Sequence, residues 1–263
     1  ISGSRLRHLF GMEPSTDPNV LIDIDRYGLG SVRTLEEFER YADVNLRQQT
    51  TGAAGRCGRF PLHPLAEDDA LRRVFERIYR DDVWQSIETR SGLSATLQAT
   101  AEIRPALAEL FKKLNIRTLL DAGCGDVNWM QSLTHGLDLY LGLDIVAPLV
   151  AQNLRLFSHR KGHFFSVANI ATDPLPAVDA ILCRNVLNLL PLEIGLKIIS
   201  NMLSSPVKVL MISSQKCSIN QNGLAGVSRP LNLTQPPFCL PEPDLLIADG
   251  AFASLSVWIK NCT

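Results

Sequence analysis

Leu119-Leu120-Asp121-Ala122-Gly123-Cys124-Gly125-Asp126 is an apolar run that ends abruptly in two glycines separated by one residue. Residues 116–120 have the short, continuous apolar character of a strand that is covered on both faces. Residues 127–131 are expected to begin a helix directly after the turn. Glycine lacks a Cβ, so the backbone can bend sharply here and approach a ligand. A strand, a glycine turn and a helix start are together typical of the first crossover in a nucleotide-binding α/β domain.

A second apolar run, residues 139–144, ends in Asp144, at the distance from the glycine turn where such folds bind a ribose hydroxyl through a carboxylate. Either NAD or S-adenosyl-L-methionine (SAM) satisfies that pair of features. A dinucleotide fingerprint needs a third small residue where the helix meets the pyrophosphate, and Asn128 occupies that place. The turn therefore disfavours a pyrophosphate site.

Further motifs follow the turn in a recognisable order, namely Trp129-Met130, Tyr-Leu-Gly-Leu-Asp-Ile over 140–145, and Asp-Ala-Ile-Leu-Cys-Arg-Asn-Val-Leu over 179–187. Together with the glycine turn they resemble the class I SAM-dependent methyltransferases, and most closely a small branch with a GCGDxxWM turn. The resemblance extends over about residues 74–249. It implies SAM as the cofactor and an α/β fold with a Rossmann-like, doubly wound, mostly parallel sheet.

The resemblance also implies which residues contact SAM: Asp121, Gly123, Cys124, Gly125, Trp129, Asp144, Ile145, Asn169, Ile170 and Arg184. The family usually has Asp at the position of Asn169, and the amide keeps an oxygen that can accept a hydrogen bond from adenine. Thr100 and Arg104 match the branch as well. Arg104 is expected to pair with the methionine carboxylate of SAM, and Trp84 to line the substrate side. The alternatives are a solvated arginine and a core tryptophan.

Arg184 and Asn185 follow the fourth predicted strand, where an open α/β sheet exposes its ligand crevice, so we expect them to position the substrate. The family usually has Asp where this chain has Asn185, and His where it has Asn188. Both departures remove titratable groups. Asp126 and His163 remain as candidate general bases, with a helix cap and a packed histidine as the respective alternatives.

The long segment 214–243 contains five prolines and is predicted to be a loop on the substrate side of the domain. Arg229 and Asn232 resemble an Arg-x-x-Asn-Leu element of the branch, and we expect both to bind the substrate. The alternative is a solvated, proline-rich excursion.

The spacing of apolar residues in the rest of the chain predicts two parts. These are an N-terminal helical extension or lid with a linker, 1–66, and a methyltransferase domain, 67–263. The extension contains a predicted helix over 33–49 and a loop over 50–64. Within the domain, helices are predicted over 68–79, 94–114, 150–156 and 192–203, and strands over 164–167, 178–183, 207–213 and 255–259, the last one antiparallel.

Composition limits the possible functions of this 263-residue chain. The net charge is −1 and no dense run of Lys and Arg occurs, so a nucleic-acid partner is not expected. No apolar stretch is long enough to span a bilayer and no signal-peptide pattern is evident, so we expect a cytoplasmic protein. The six cysteines lack metal-ligand spacing, so they are expected to be reduced, and no metal site is predicted.

The sequence therefore favours a SAM-dependent methyltransferase with a small polar acceptor, an oxygen nucleophile of a sugar or another small metabolite. Catalysis would rest mainly on proximity and orientation. A SAM-binding protein with a degenerate site and a regulatory role is the first alternative, because Asn169, Asn185 and Asn188 replace titratable residues. An RNA or protein methyltransferase and an NAD-linked dehydrogenase are the others. The sequence makes no prediction of the oligomeric state.

Overall fold

A computed structural model of the chain describes residues 65–157, 159–250 and 253–260. The predicted helix over 33–49, the loop over 50–64 and nearly all of the predicted N-terminal extension lie outside these residues. In the described part, no helix is both long and apolar enough to cross a membrane.

The described residues contain a seven-stranded sheet with the order β3-β2-β1-β4-β5-β7-β6. Strands β1 to β5 pair in parallel, whereas β7 is antiparallel to both β5 and β6. The strands are β1 (Thr118–Ala122), β2 (Leu139–Asp144), β3 (His163–Val167), β4 (Ala180–Cys183), β5 (Val209–Gln215), β6 (Leu245–Ala248) and β7 (Ala253–Ile259). This is the mostly parallel, Rossmann-like sheet that the sequence predicts.

The apolar runs form strands because both faces of the sheet are covered. Successive side chains of a strand point to opposite faces, so Leu119 packs into one buried cluster and Leu120 into the other. The helices that carry these clusters are α1 (Leu65–Arg80), α2 (Ile103–Lys113), α3 (Ala147–Phe157) and α4 (Leu192–Ser204). All five residues of β1 are buried, which accounts for its continuous apolar pattern.

Two predicted helices are wrong in part. The helix expected over 127–131 is a single 3₁₀ turn, Met130–Ser132, because Val127 has a φ of +60° that no α-helix accommodates. The helix expected over 94–114 begins only at Ile103, after a 3₁₀ turn at Leu93–Ala95. Pro105 then lies in the first turn of α2, where its missing N–H costs no hydrogen bond.

The edge strand β6 has no counterpart in the sequence analysis. Its residues are mostly exposed although they form a short apolar run, Leu245–Ala248. The segment after β5 is ordered and packed rather than a solvated excursion, which corrects that alternative. Leu231, Leu233 and Phe238 from this segment are buried in the cluster that also contains Ile198 of α4.

Strands β1 and β2 are also joined by a hydrogen bond between buried side chains. The Tyr140 hydroxyl donates to the Asp121 carboxylate over 2.7 Å. Burial, opposed by this hydrogen bond, raises the pKa of Asp121 to about 7. Burial also raises the pKa of Asp144, at the end of β2, above its ordinary value. Both carboxyl groups therefore ionise at a higher pH than carboxyl groups in water.

We expect this arrangement to make the folded state less stable as the pH rises from about 4 to about 7. In that window the folded protein retains the Asp121 proton while the unfolded chain, with a pKa near 3.8, has released it. Asp121→Asn removes the titration and should flatten this part of the profile. The free energy of unfolding in urea, measured at half-unit pH steps for parent and variant, provides the test. Parallel profiles for the two proteins would contradict the prediction.

Candidate ligand site at the carboxyl edge of the sheet

A cavity of about 690 Å³ lies at the carboxyl edge of the parallel strands. Its wall on the side of the sheet is formed by the residues at the ends of β1 to β5 and by the tip of the β6–β7 hairpin. Helix α1 and the segment 84–95 form the rest of the wall. The predicted site residues that it brings together are Trp84, Gly123, Cys124, Gly125, Asp126, Trp129, Asp144, Ile145, Asn169, Ile170, Arg184 and Asn185.

Three residues predicted to contact the cofactor do not line this cavity. Asp121 lies behind the turn, against Tyr140. Thr100 is fully buried and donates to the carbonyl of Thr96 over 2.8 Å. The Arg104 guanidinium donates to the carbonyls of Thr100 and Leu97, at 3.3 and 3.0 Å, within its own part of the chain. Arg104 therefore does not face the place where we expected a methionine carboxylate.

Arg229 and Asn232, expected to bind the substrate, instead hold the segment 214–243 in place. Arg229 donates to the carbonyls of Gln221, at 2.7 Å, and of Leu190. Asn232 donates to the carbonyl of Cys217 over 3.0 Å. Neither side chain lines the cavity, because backbone carbonyls of this segment and of Leu190 take up their donors.

The glycine turn has left-handed backbone conformations at Gly123 (φ +80°) and Gly125 (φ +57°), which favour glycine. A Cβ on Gly125 would lie 2.2 Å from Ser91 Oγ, and one on Gly123 would lie 2.5 Å from a methyl group of Val186. The glycines are therefore required by packing within the protein, in addition to the ligand approach that the sequence suggested. The carbonyl of Gly125 accepts a hydrogen bond from the buried Asn153 amide over 2.7 Å.

The Asp126 carboxylate binds the segment 84–95, which we call the strap, to the glycine turn. It accepts hydrogen bonds from the hydroxyls of Thr89, at 2.7 and 2.8 Å, and Ser91, at 2.9 Å, and from the Arg90 amide at 2.8 Å. The Ser91 hydroxyl in turn accepts from the Asp126 amide over 2.9 Å. This carboxylate is committed to the strap, so the geometry gives no support to its expected role as a base.

His163, the other candidate base, lies at the start of β3, at the opposite edge of the sheet. One ring nitrogen is 2.8 Å from the Thr134 hydroxyl and the other is 3.2 Å from the carbonyl of Lys161. The ring is buried and does not line the cavity. His163 is therefore a packed histidine.

Asp144 and Asn169 line the cavity beside the ends of β2 and β3. The Asp144 carboxylate accepts the amides of Gly125 and Val146, both at 3.0 Å. An ionised carboxylate has about four acceptor positions, so capacity remains for further donors. The Asn169 side-chain oxygen accepts a hydrogen bond from the backbone N–H of Ala171 over 3.0 Å. The backbone N–H of Asn169 donates to the Asp173 carboxylate over 2.8 Å. These bonds hold both acceptors at the cavity wall.

Arg184 forms a buried ion pair that sequence reasoning missed. Its Nε and Nη2 donate to the two carboxylate oxygens of Asp249 over 2.8 and 2.7 Å, and its Nη1 donates to the Ser94 carbonyl over 2.9 Å. The side chains of Arg184 and Asp249 are only 6% and 3% exposed. The guanidinium also lies over the ring of Trp129, 4.9 Å from its centre.

One signal for Asp249 exists in the sequence. Asp249-Gly250 lies between two apolar runs, 245–248 and 253–259, and such a dipeptide indicates a hairpin. The pattern does not reveal that the hairpin tip lies opposite Arg184, because that depends on the order of the strands.

The cavity wall beyond Arg184 is rich in amides and hydroxyls. Asn185, Asn188, Gln215 and Ser228 line it there. The Asn188 amide donates to Ser228 Oγ over 3.2 Å, whereas its buried side-chain oxygen has no hydrogen-bond partner among the described residues. No group of three or more His, Cys, Asp or Glu side chains that could hold a metal ion occurs in the described ranges.

Comparisons with known proteins show similarity in structure. No family model matches the chain, and no curated protein matches its sequence. Magnesium protoporphyrin IX methyltransferase (ChlM) from Synechocystis PCC 6803 with bound SAM has a TM-score of 0.55 at 15% identity, over 76% of this chain and 99% of that chain. Human N-acetylserotonin methyltransferase in complex with SAM has a TM-score of 0.53 at 15% identity, over 75% of this chain and 60% of that chain.

The DhpI–SAH complex has a TM-score of 0.52 at 14% identity, over 72% of this chain and 95% of that chain. Sequence identities this low establish a shared fold rather than a shared activity. The described part of the chain has the Rossmann-like fold of class I SAM-dependent methyltransferases.

Proposed function

We propose that the protein is a SAM-dependent methyltransferase that acts on a small polar acceptor. The observation that carries this proposal is the cavity at the carboxyl edge, where the glycine turn, Asp144 and Asn169 meet. Its volume of about 690 Å³ lies within the usual range for small-molecule sites. Two structural neighbours, magnesium protoporphyrin IX methyltransferase and N-acetylserotonin methyltransferase, are methyltransferases by name, which supports the same function.

The cavity wall fits the chemical groups of SAM. Asp144 would accept hydrogen bonds from the ribose hydroxyls, and the Asn169 oxygen would accept one from the adenine amine. Ile145, Leu149 and Ile170 supply apolar contacts next to these two polar groups. When bound, SAM supplies a methyl group on a positively charged sulfonium. The chain's own residues would then hold the acceptor in line with that methyl group.

The acceptor would bind at the β4 and β5 side of the cavity, since Asp144 and Asn169 occupy the β2 and β3 side. Amides and hydroxyls form that wall, and they suit an acceptor that both donates and accepts hydrogen bonds. We favour an oxygen nucleophile of a sugar or another small metabolite. Because Asp126 and Asp249 are committed to protein partners, catalysis would depend on proximity and orientation.

The alternatives have less support. Arg90 and Arg184 are the cavity-lining cations in the described residues, which is few for an RNA backbone. The antiparallel β7 beside β5 departs from the all-parallel order of dinucleotide-binding folds and so disfavours an NAD-linked dehydrogenase. One observation supports a SAM-binding regulatory protein. Asn169, Asn185 and Asn188 have amides where the resembling family has titratable residues. Measured methyl transfer distinguishes such a protein from an enzyme.

The proposed activity can be tested with SAM that carries a labelled methyl group. We expect label to enter the small-molecule fraction of a cell extract, and not its RNA or protein fractions. Binding of SAM without transfer to any fraction would favour a regulatory protein. Labelled RNA or protein would contradict the proposed acceptor class, and the absence of SAM binding would contradict the cofactor.

Asp144→Asn should weaken SAM binding about tenfold or more, because a hydrogen bond to a charged group contributes about 1.5 to 3 kcal/mol. The amide has nearly the same size and can still accept one backbone N–H of the turn. Titration calorimetry with SAM measures the effect. Asp138→Asn, which alters the Arg117–Asp138 ion pair at the opposite edge of the sheet, is the matched control and should bind like the parent. Equal affinities for Asp144→Asn and the parent would remove Asp144 from the site.

Gly125→Ala should lower SAM affinity while the protein stays folded, because the new Cβ would displace the Ser91 hydroxyl and with it the strap. Gly136→Ala is the control, since a Cβ there meets no atom within 4 Å. Circular dichroism reports the fold and calorimetry reports the affinity. Parent-like binding by Gly125→Ala would show that the strap does not shape the site.

A further inference from the structure

Two side-chain amides in the β4 and β5 wall of the cavity make no hydrogen bond to any described residue. They belong to Asn185, which follows β4, and to Gln215, the last residue of β5. The backbone N–H groups of both residues are bonded, but their side chains are not. Asn188, on the same wall, differs because its amide donates to Ser228. Asn185 and Gln215 therefore keep their full hydrogen-bonding capacity for a ligand.

Strands β4 and β5 place these two amides next to each other. Cys183, at the end of β4, pairs with Ile212 of β5. Beyond this pair, the backbone N–H of Asn185 donates to Ser213 Oγ over 3.0 Å. Residues two apart in a strand point to the same face, so Gln215 projects on the side of Ser213. The amides of Asn185 and Gln215 are therefore neighbours on one wall.

The backbone fixes the attachment point of each amide. Asn185 has a left-handed conformation, with a φ of +56°, which asparagine adopts more readily than most residues. The backbone N–H of Gln215 donates to the carbonyl of Leu231 over 2.6 Å, and Gln215 pairs with Ala253 of β7. A ligand thus meets two amides on an ordered backbone, which lowers the entropy cost of binding.

The chemistry of the amides indicates which groups fit between them. A carboxamide donates through its nitrogen and accepts through its oxygen. A carboxylate only accepts and an ammonium group only donates, so either one would leave half of the amide atoms without a partner. A hydroxyl group both donates and accepts. Arg184, beside Asn185 in the chain, is already neutralised by Asp249 and so offers no unbalanced charge to an ionic ligand.

We propose that Asn185 and Gln215 together select a neutral acceptor that carries hydroxyl groups, and that Gln215 is a specificity-determining residue of the site. This inference rests on the proposed function, because the acceptor must bind beside SAM. It narrows the acceptor class, since acidic sugars, phosphorylated sugars and amines are polar acceptors that these amides would reject. It also assigns a role to the end of β5, which no sequence motif marks.

Ion exchange of the small-molecule fraction of a cell extract tests the acceptor class. The neutral, anionic and cationic fractions are each incubated with the protein and SAM that carries a labelled methyl group. We expect transfer to the neutral fraction alone. Treatment of that fraction with acetic anhydride, which blocks hydroxyl groups, should abolish the transfer.

Transfer to the anionic or cationic fraction at a comparable rate, or transfer that survives acetylation, would overturn the inference and leave the proposed function intact. No transfer to any fraction by a protein that binds SAM would contradict the proposed function, and this inference with it.

Substitution of the amides tests their role directly. Gln215→Met keeps the length of the side chain and removes its hydrogen-bonding groups. The amount of neutral fraction that gives half of the maximal rate should rise about tenfold or more, while SAM affinity stays within about threefold of the parent. Asn185→Gly, which retains the left-handed backbone, should act in the same way. Gln98→Met is the matched control, because Gln98 is exposed and does not line the cavity.

Circular dichroism verifies that each variant is folded. If Gln215→Met does not fold, Asn185→Gly decides the question, because glycine suits the backbone conformation at that position. Parent-like dependence on the neutral fraction in the folded variants would overturn the inference. A loss of SAM affinity as large as the loss of acceptor affinity would assign the amides to the cofactor and overturn it as well.

Discussion

Parallel pairing of β1 with β2 on one side and with β4 on the other is the constraint on which the rest of the structure depends. Parallel strands all end at the same edge, so the glycine turn, Asp144, Asn169 and Arg184 meet there although up to 61 positions separate them in the chain. Parallel pairing also needs helices on both faces, and the two buried clusters show how completely these faces are covered. The same burial that stabilises the sheet thus creates the site.

The cavity has a second wall that does not belong to the sheet. Helix α1 contributes Phe75, Ile78 and Tyr79, and the strap contributes Trp84 and Ser91. The strap is held on the glycine turn through the Asp126 carboxylate and through the Asn128 side chain, which donates to Glu88 and to the Ala95 carbonyl. This explains why the residues before β1 matter to a site whose recognisable motifs all follow it.

Charge is distributed unevenly along the wall. Asp144 lies on the β2 side, where burial raises its pKa, while Arg184 and Asp249 neutralise each other near β4. Removing one partner of such a buried pair is far more costly than replacing both, because a buried charge is then left without compensation. The hairpin tip and the β4 turn are therefore coupled, and a substitution at either one affects the other.

The sequence alone determined the central strands, the glycine turn and the acidic residue at the end of β2. These features depend on local patterns, which are apolar runs, glycines at tight turns and residues at strand ends. It also indicated the order of the motifs, and hence the fold that the structural neighbours share. The helix over 127–131 was wrong because the left-handed conformation of Val127 is set by its surroundings and not by its own preference.

Only the tertiary structure decided which polar side chains face the cavity. Arg104, Arg229 and Asn232 have the chemistry of ligand-binding residues, yet backbone carbonyls take their donors. The sequence indicates a hairpin at Asp249, but Asp249 lies against Arg184 because β7 is inserted beside β5. A residue's type states which hydrogen bonds it can make, whereas the partner it finds depends on contacts between residues distant in the chain, which no local pattern records.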